Sequence, residues 1–154
     1  MKNSLLLVAI VVLCGCASEP LTLAPVGPAV PRGSRFQGGG TLRVYSAVTE
    51  RNDSQIKYYY PQNYFVLTPE HAMVKAVINS HSMNETPADV NLASGKYVVK
   101  APSDGYGLVY VPVVIKEGSV TEVHLDRRWR PAREENATNL VTFPDGWPVG
   151  FKAQ

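Results

Sequence analysis

The stretch PADVNLASGKYVVKAPSDGYGLVYVPVVIKEGSVTEVHLD, residues Pro87 to Asp126, decides the fold class. Its apolar residues alternate. Val90 and Leu92 lead to Tyr97, Val99 and Ala101, then to Val109, Val111, Val113 and Ile115, then to Thr121, Val123 and Leu125. Gly95, the Gly105-Tyr106-Gly107 turn and Gly118 separate the runs. A period of two turns one side-chain face to a core and the other to water. The pattern predicts antiparallel strands in which Tyr97, Val99, Val111, Val113, Val123 and Leu125 share one core. His124 then faces outward between Val123 and Leu125. Pro112 has no N–H for a ladder, so its strand is expected at an edge or bulged.

Upstream, Leu42, Val44 and Ser46 alternate with Arg43, Tyr45 and Ala47, which predicts a strand over Thr41 to Val48. Glu50 to Gln55, with Asn52-Asp53-Ser54, reads as a polar loop. Tyr58-Tyr59-Tyr60 and Tyr64 form the aromatic centre of the chain. Tyr faces can stack on the C–H faces of sugars, which makes Tyr58, Tyr60 and Tyr64 candidate ligand-binding residues. Tyr is equally a favourable strand residue with a hydroxyl that reaches water. Phe65 to Thr68 and Met73 to Asn79 read as a hairpin around Pro69-Glu70-His71-Ala72. Thr68, Pro69 and Glu70 are also helix-start signals, but Ala72, Val74, Ala76 and Ile78 alternate as a strand does. The count is about seven strands, which suits an all-β domain, a single antiparallel β-sandwich of prealbumin or immunoglobulin-like type, over residues 41–126.

Gly95-Lys96-Tyr97-Val98-Val99, then Gly105-Tyr106-Gly107, then Val111-Pro112-Val113-Val114-Ile115 and Gly118 resemble the repeat of PEGA and carboxypeptidase-regulatory-like domains, which are transthyretin-type β-sandwiches. The Pro-Glu-Gly-Ala signature is absent; Pro87-Ala88-Asp89-Val90 stands near its place. The resemblance implies scaffolding or surface-display roles and carries over no catalytic residues.

At the N-terminus, Lys2 precedes an unbroken apolar run from Leu5 to Leu13. This is the layout of a secretory signal peptide over residues 1–15, shorter than the ~20 apolar residues of a membrane-spanning helix. Leu13-Cys14-Gly15-Cys16 resembles the lipobox of bacterial lipoproteins. The resemblance implies cleavage before Cys16 and acylation of its thiol and amine. An ordinary signal peptide cut near Ala17 is the competing reading. Cys16 is the only cysteine after cleavage, so no internal disulfide is possible. Ala17 and Ser18, with no Asp after the cysteine, point by the same resemblance to the outer membrane of a bacterial cell envelope. Residues 16–40 hold Pro20, Pro25, Pro28, Pro31 and Gly38-Gly39-Gly40, which predicts a strandless tether.

Residues 127–154 read as a tail. Arg127, Arg128 and Arg130 flank Trp129, a further candidate for ligand contact through charge and cation–π interaction. Pro131 to Asn139 is polar, and Leu140 to Phe151 forms a small hairpin around Pro144-Asp145-Gly146, whose Trp147 and Phe151 need a surface to cover them.

The 154 residues are 45% hydrophobic with a net charge of +2, which fits a globular domain and gives no field for nucleic acid. His71, His81 and His124 lack ligand spacing, and no nucleophile-elbow or phosphate-loop motif occurs. Glu134-Glu135, on a polar tail, reads as a solvated pair rather than a catalytic one. The sequence therefore predicts no enzyme, no cofactor and no metal. It predicts a lipid-anchored envelope protein with an interaction domain and an envelope protein as partner; the alternative is a carbohydrate- or peptidoglycan-binding module.

Overall fold

The computed structural model describes residues 19–28, 38–53, 56–79, 86–131 and 138–154. The leader, Cys16, His81 and Glu134-Glu135 lie outside them. The described residues form strands and no α-helix: β1 (Leu21–Thr22), β2 (Val26–Gly27), β3 (Gly39–Tyr45), β4 (Val48–Asp53), β5 (Ile56–Pro61), β6 (Tyr64–Leu67) and β7 (Met73–Val77). After them come β8 (Val90–Ala93), β9 (Gly95–Ser103), β10 (Gly107–Ile115), β11 (Val120–His124), β12 (Leu140–Thr142) and β13 (Pro148–Lys152). The large sheet runs β12-β13-β2-β10-β9-β6-β7, with β1 also on β10; the small sheet is β11-β3-β8; β4 and β5 pair only with each other.

The β9–β10 hairpin is the spine. Its register runs from Gly107 opposite Ser103 to Ile115 opposite Gly95. Val99, Ala101, Val109, Val111 and Val113 turn inward and are buried. Across from them lie Leu42, Val44, Val90, Leu92, Val123 and Leu125 of the small sheet and its flank, in the same buried cluster. The alternation of Val90 to Leu125 therefore reads as predicted, with Tyr97 packed half-buried at the margin. The 64–77 segment is a hairpin rather than a helix.

Several expectations are corrected. The pairing is mixed, since β1 and β2 run parallel to β10 and β3 runs parallel to β11. Nine strands, β3 to β11, stand among the described residues of the 41–126 region where about seven were expected. Residues 16–40 are not strandless as expected, because Leu21 and Thr22 pair with Val109 and Tyr110 and Val26 pairs with Val113. Leu23 and Val26 are buried in the core. Pro112 is on a central strand. Its second neighbour is instead broken opposite it, with β1 ending its pairing at Tyr110 and β2 resuming at Val113, which suits a residue with no N–H. The boundary at 126 also moves, since β13 pairs with β2 and places Val141, Phe143 and Val149 in the core.

Gly39 and Gly40 belong to β3, with the glycine chosen for closeness rather than freedom. A Cβ on Gly40 would collide with the carbonyl of Lys116 and stand 2.9 Å from that of Ser119. Thr41 N donates to Ser119 O and Gly118 N to Gly39 O, each at 2.9 Å, so the β10–β11 turn is locked to this backbone. The colliding atoms are main chain and cannot swing away. Gly40→Ala is expected to lower unfolding stability by about 1–3 kcal/mol, as overpacking does; urea denaturation with an unchanged midpoint would refute the close-approach account.

Candidate functional site

The three tyrosines and one tryptophan singled out by sequence fall in three different environments. Tyr64 is 1% exposed and belongs to the core. Its hydroxyl is buried without a hydrogen-bond partner, and burial pushes the phenol well above its ordinary range. It has no surface to offer a ligand.

Trp129 sits on the outer side of the small sheet in a stack of rings. Tyr45 lies 4.3 Å from His124 at 12°, and His124 lies 4.5 Å from Trp129 at 9°. Phe151 closes the stack edge-on, 5.5 Å from Trp129. His124 does point away from the Val123 and Leu125 side, but it is only 6% exposed because Trp129 covers it. The expectation of a solvent-facing His124 fails for this reason, since a strand's outward face is wet only if nothing returns to cover it. Beside the stack is a space of about 20 Å³ bordered by Gly27, Glu122 and Phe151, about the room one water requires.

The structure brings Tyr58 and Tyr60 together. The predicted loop at Glu50 to Gln55 is partly strand: β4 and β5 form an arm, with Thr49 opposite Tyr60 and Arg51 opposite Tyr58. These four residues share a face because β-strand side chains alternate. The two phenol rings are 6.4 Å apart at 30°, and the Arg51 guanidinium lies 5.7 Å from the Tyr60 ring. On the opposite face, Lys57 pairs with Glu50 at 2.8 Å, and Arg128 lies 5.4 Å over Tyr59.

The arm is fixed at its base. Gln62 N donates to Ala47 O at 2.8 Å, Ala47 N to Pro102 O at 3.0 Å, and Ser46 Oγ to Gln62 O at 2.6 Å. Asn79, just past β7, donates from its backbone to Asn63 Oδ1 and from its side chain to Gln62 O, both at 2.9 Å. Between this corner and the arm is an open cleft of about 470 Å³, lined by Thr49, Arg51, Tyr60, Gln62, Asn63 and Asn79, with Pro61. A hydroxyl, a guanidinium and three carboxamides beside an aromatic face form a hydrogen-bonding site with a stacking platform. Asn63 and Asn79 carry no sequence signal of this role; only the return of β7 to the base of the arm makes them neighbours. Among the described residues, no three His, Cys, Asp or Glu side chains gather to hold a metal.

His124 has a measurable consequence. Burial lowers its pKa from 6.5 to about 4. Glu122 Oε2 is 4.0 Å from His124 Nε2, but Glu122 is held by Arg43 at 2.9 Å and offers little compensation. The neutral ring is the folded form, so the unfolded chain binds the extra proton between the two values. Stability is therefore complete above pH 6.5 and declines as pH falls toward 4, by up to about 3 kcal/mol. His124→Phe is expected to flatten that part of the stability–pH curve; an unchanged slope in chemical denaturation between pH 6.5 and 4 would exclude His124 as its source.

No family model, curated protein or solved structure matches the chain, so any reading of its function rests on its own residues.

Proposed function

We propose that this chain is a non-enzymatic, lipid-anchored protein of the bacterial cell envelope, held through Cys16 and presenting a β-sandwich interaction domain, with the outer membrane as its site. The two sheets would form a sandwich of the broad group that PEGA-like and carboxypeptidase-regulatory-like domains represent, as the residues from Gly95 to Ile115 suggest. The observation that carries an interaction role is the arm: β4 and β5 pair with no other strand and turn Tyr58, Tyr60 and Arg51 outward on one face. The ion pairs of Arg43 with Asp89 and Glu122 and of Lys57 with Glu50 hold sheet and arm geometry, a structural use of charge.

The anchor reading has a geometric corollary. Leu21 is already paired with Val109 in the large sheet. Five residues from Cys16 span at most about 18 Å. An anchored domain would therefore lie against the membrane rather than on a long spacer, with the β9–β10 turn near the lipid surface. Cys16→Ser is expected to release the mature protein from the membrane fraction on detergent phase separation; retention in the detergent phase would refute the anchor.

The cleft favours a second reading, a peptidoglycan or other glycan ligand. Sugars need apolar stacking and a fringe of donors and acceptors, and the cleft sets Tyr60 beside Gln62, Asn63 and Asn79. One experiment separates the readings. A photo-crosslinker at residue 58 in the native envelope should trap a protein if the arm is a docking element. Sedimentation with insoluble peptidoglycan should instead fall at least tenfold in Tyr58→Ala/Tyr60→Ala if the ligand is a glycan, since the aromatic platform is then gone. A double variant that behaves as the parent in both assays would remove the arm from the function.

A further inference from the structure

We propose that the outer face of the β9–β10 hairpin carries a second site, a groove that binds a single unbranched acyl chain ending in a carboxylate. The groove lies on the side of the large sheet opposite the core. Tyr110, Pro112 and Val114 of β10, with Val98 of β9, form its floor. The segment joining β1 to β2 raises one wall with Thr22 and Pro25; the β6–β7 turn raises the other with Pro69 and His71. From Tyr110 to Val114 the floor is about 13 Å long. The space in this open groove is about 350 Å³, within the usual range for a small-molecule site.

The second wall is built at a conformational cost. His71 is a non-glycine residue at φ 67°, a region such residues seldom occupy. Its N–H donates to Thr68 O at 2.9 Å, and Ala72 N donates to Thr68 Oγ1 at 3.2 Å, which holds the turn. The result is an imidazole ring stacked 5.2 Å from Tyr110 at the edge of the groove.

Charge and backbone satisfaction select the ligand. Lys96 lines the Val114 end, and the Lys100 ammonium lies 5.6 Å from the Tyr110 ring near the other end. No lining residue is acidic; Glu70, beside His71 in the turn, does not line the groove. An anionic head therefore finds a cation, and a cationic head does not. The body of the ligand must lack amides. β10 has β9 on one edge and β1 and β2 on the other, so the floor has no open edge with which a peptide could pair. A peptide backbone laid there would lose its hydration without replacement, a cost of about 1–3 kcal/mol for each unpaired group. A methylene chain loses nothing and gains contact with proline, valine and tyrosine.

The test is calorimetric titration of the purified full chain with decanoate below its micellar concentration. Saturable one-to-one binding is expected, about tenfold tighter than octanoate, because two further methylenes are buried. Lys96→Glu should weaken decanoate at least tenfold, and Val114→Trp, which fills the floor, should abolish binding with an unchanged far-UV spectrum. Decanol binding as tightly as decanoate would overturn the assignment, as would decanoate binding that survives Val114→Trp. If Val114→Trp does not fold, amide chemical shifts of the parent decide: changes on decanoate addition must centre on Val98, Tyr110 and Val114, and changes centred elsewhere would overturn the site.

Discussion

Everything in this fold hangs on the unbroken register between β9 and β10. Pairing from Gly107–Ser103 to Ile115–Gly95 fixes which side chains face the core and which face out. A slip of one residue would exchange the two sets. With the observed register, Val99, Val109, Val111 and Val113 meet the small sheet. Tyr110, Pro112 and Val114 are left outside on a smooth apolar floor. The same ladder leaves the other edge of β10 open, and two short parallel segments from the N-terminus occupy it. Their break opposite Pro112 follows from a missing donor. One hairpin thus sets the core, the groove and the place where the chain enters the domain.

The core was legible because its signal is local. Alternation from Val90 to Leu125 needs no knowledge of partners to be read, and the residues it marked are buried, Tyr97 only by half. Where the reading failed, the deciding contact lay far away in sequence. Pro20 to Pro28 resembles a spacer by composition, yet Val26 is fully buried because β10 offers it an unused edge and β13 covers it. Gly40 suggests flexibility, yet it is set against main chain near residue 116. His124 alternates outward, but the chain comes back to lay Trp129 on its ring. Tyr64 looks like its neighbours Tyr58 and Tyr60 in sequence. It differs only because the chain has by then left the arm and entered the large sheet.

The edges of the sheets show a consistent economy. β7 closes one side of the large sheet with five residues, carries Lys75 and follows the Pro69 turn, features that discourage pairing with another chain. β12 closes the other side with three residues. On the small sheet, the ring stack from Tyr45 to Phe151 covers the outer surface of β11 and joins it to β13. The stack leaves His124 Nε2 buried without a hydrogen-bond partner. That is a cost accepted to keep apolar surface out of water, offset by area burial and by ring–ring attraction of about 0.5–1.5 kcal/mol for each aromatic pair.

The arm stands apart from this economy. An isolated two-stranded hairpin is marginal in water, so its persistence needs an explanation from contacts other than its own ladder. One face supplies them: Lys57 meets Glu50, and Arg128 reaches from the end of the small sheet to lie over Tyr59. The base adds hydrogen bonds from Gln62, Ser46 and Ala47. The other face, with Tyr58, Tyr60 and Arg51, contributes one cation–π contact and one tilted ring pair. Two phenols set side by side on the face turned away from the rest of the fold, one of them lining a cleft rimmed with carboxamides, are the feature on which the proposed interaction role rests.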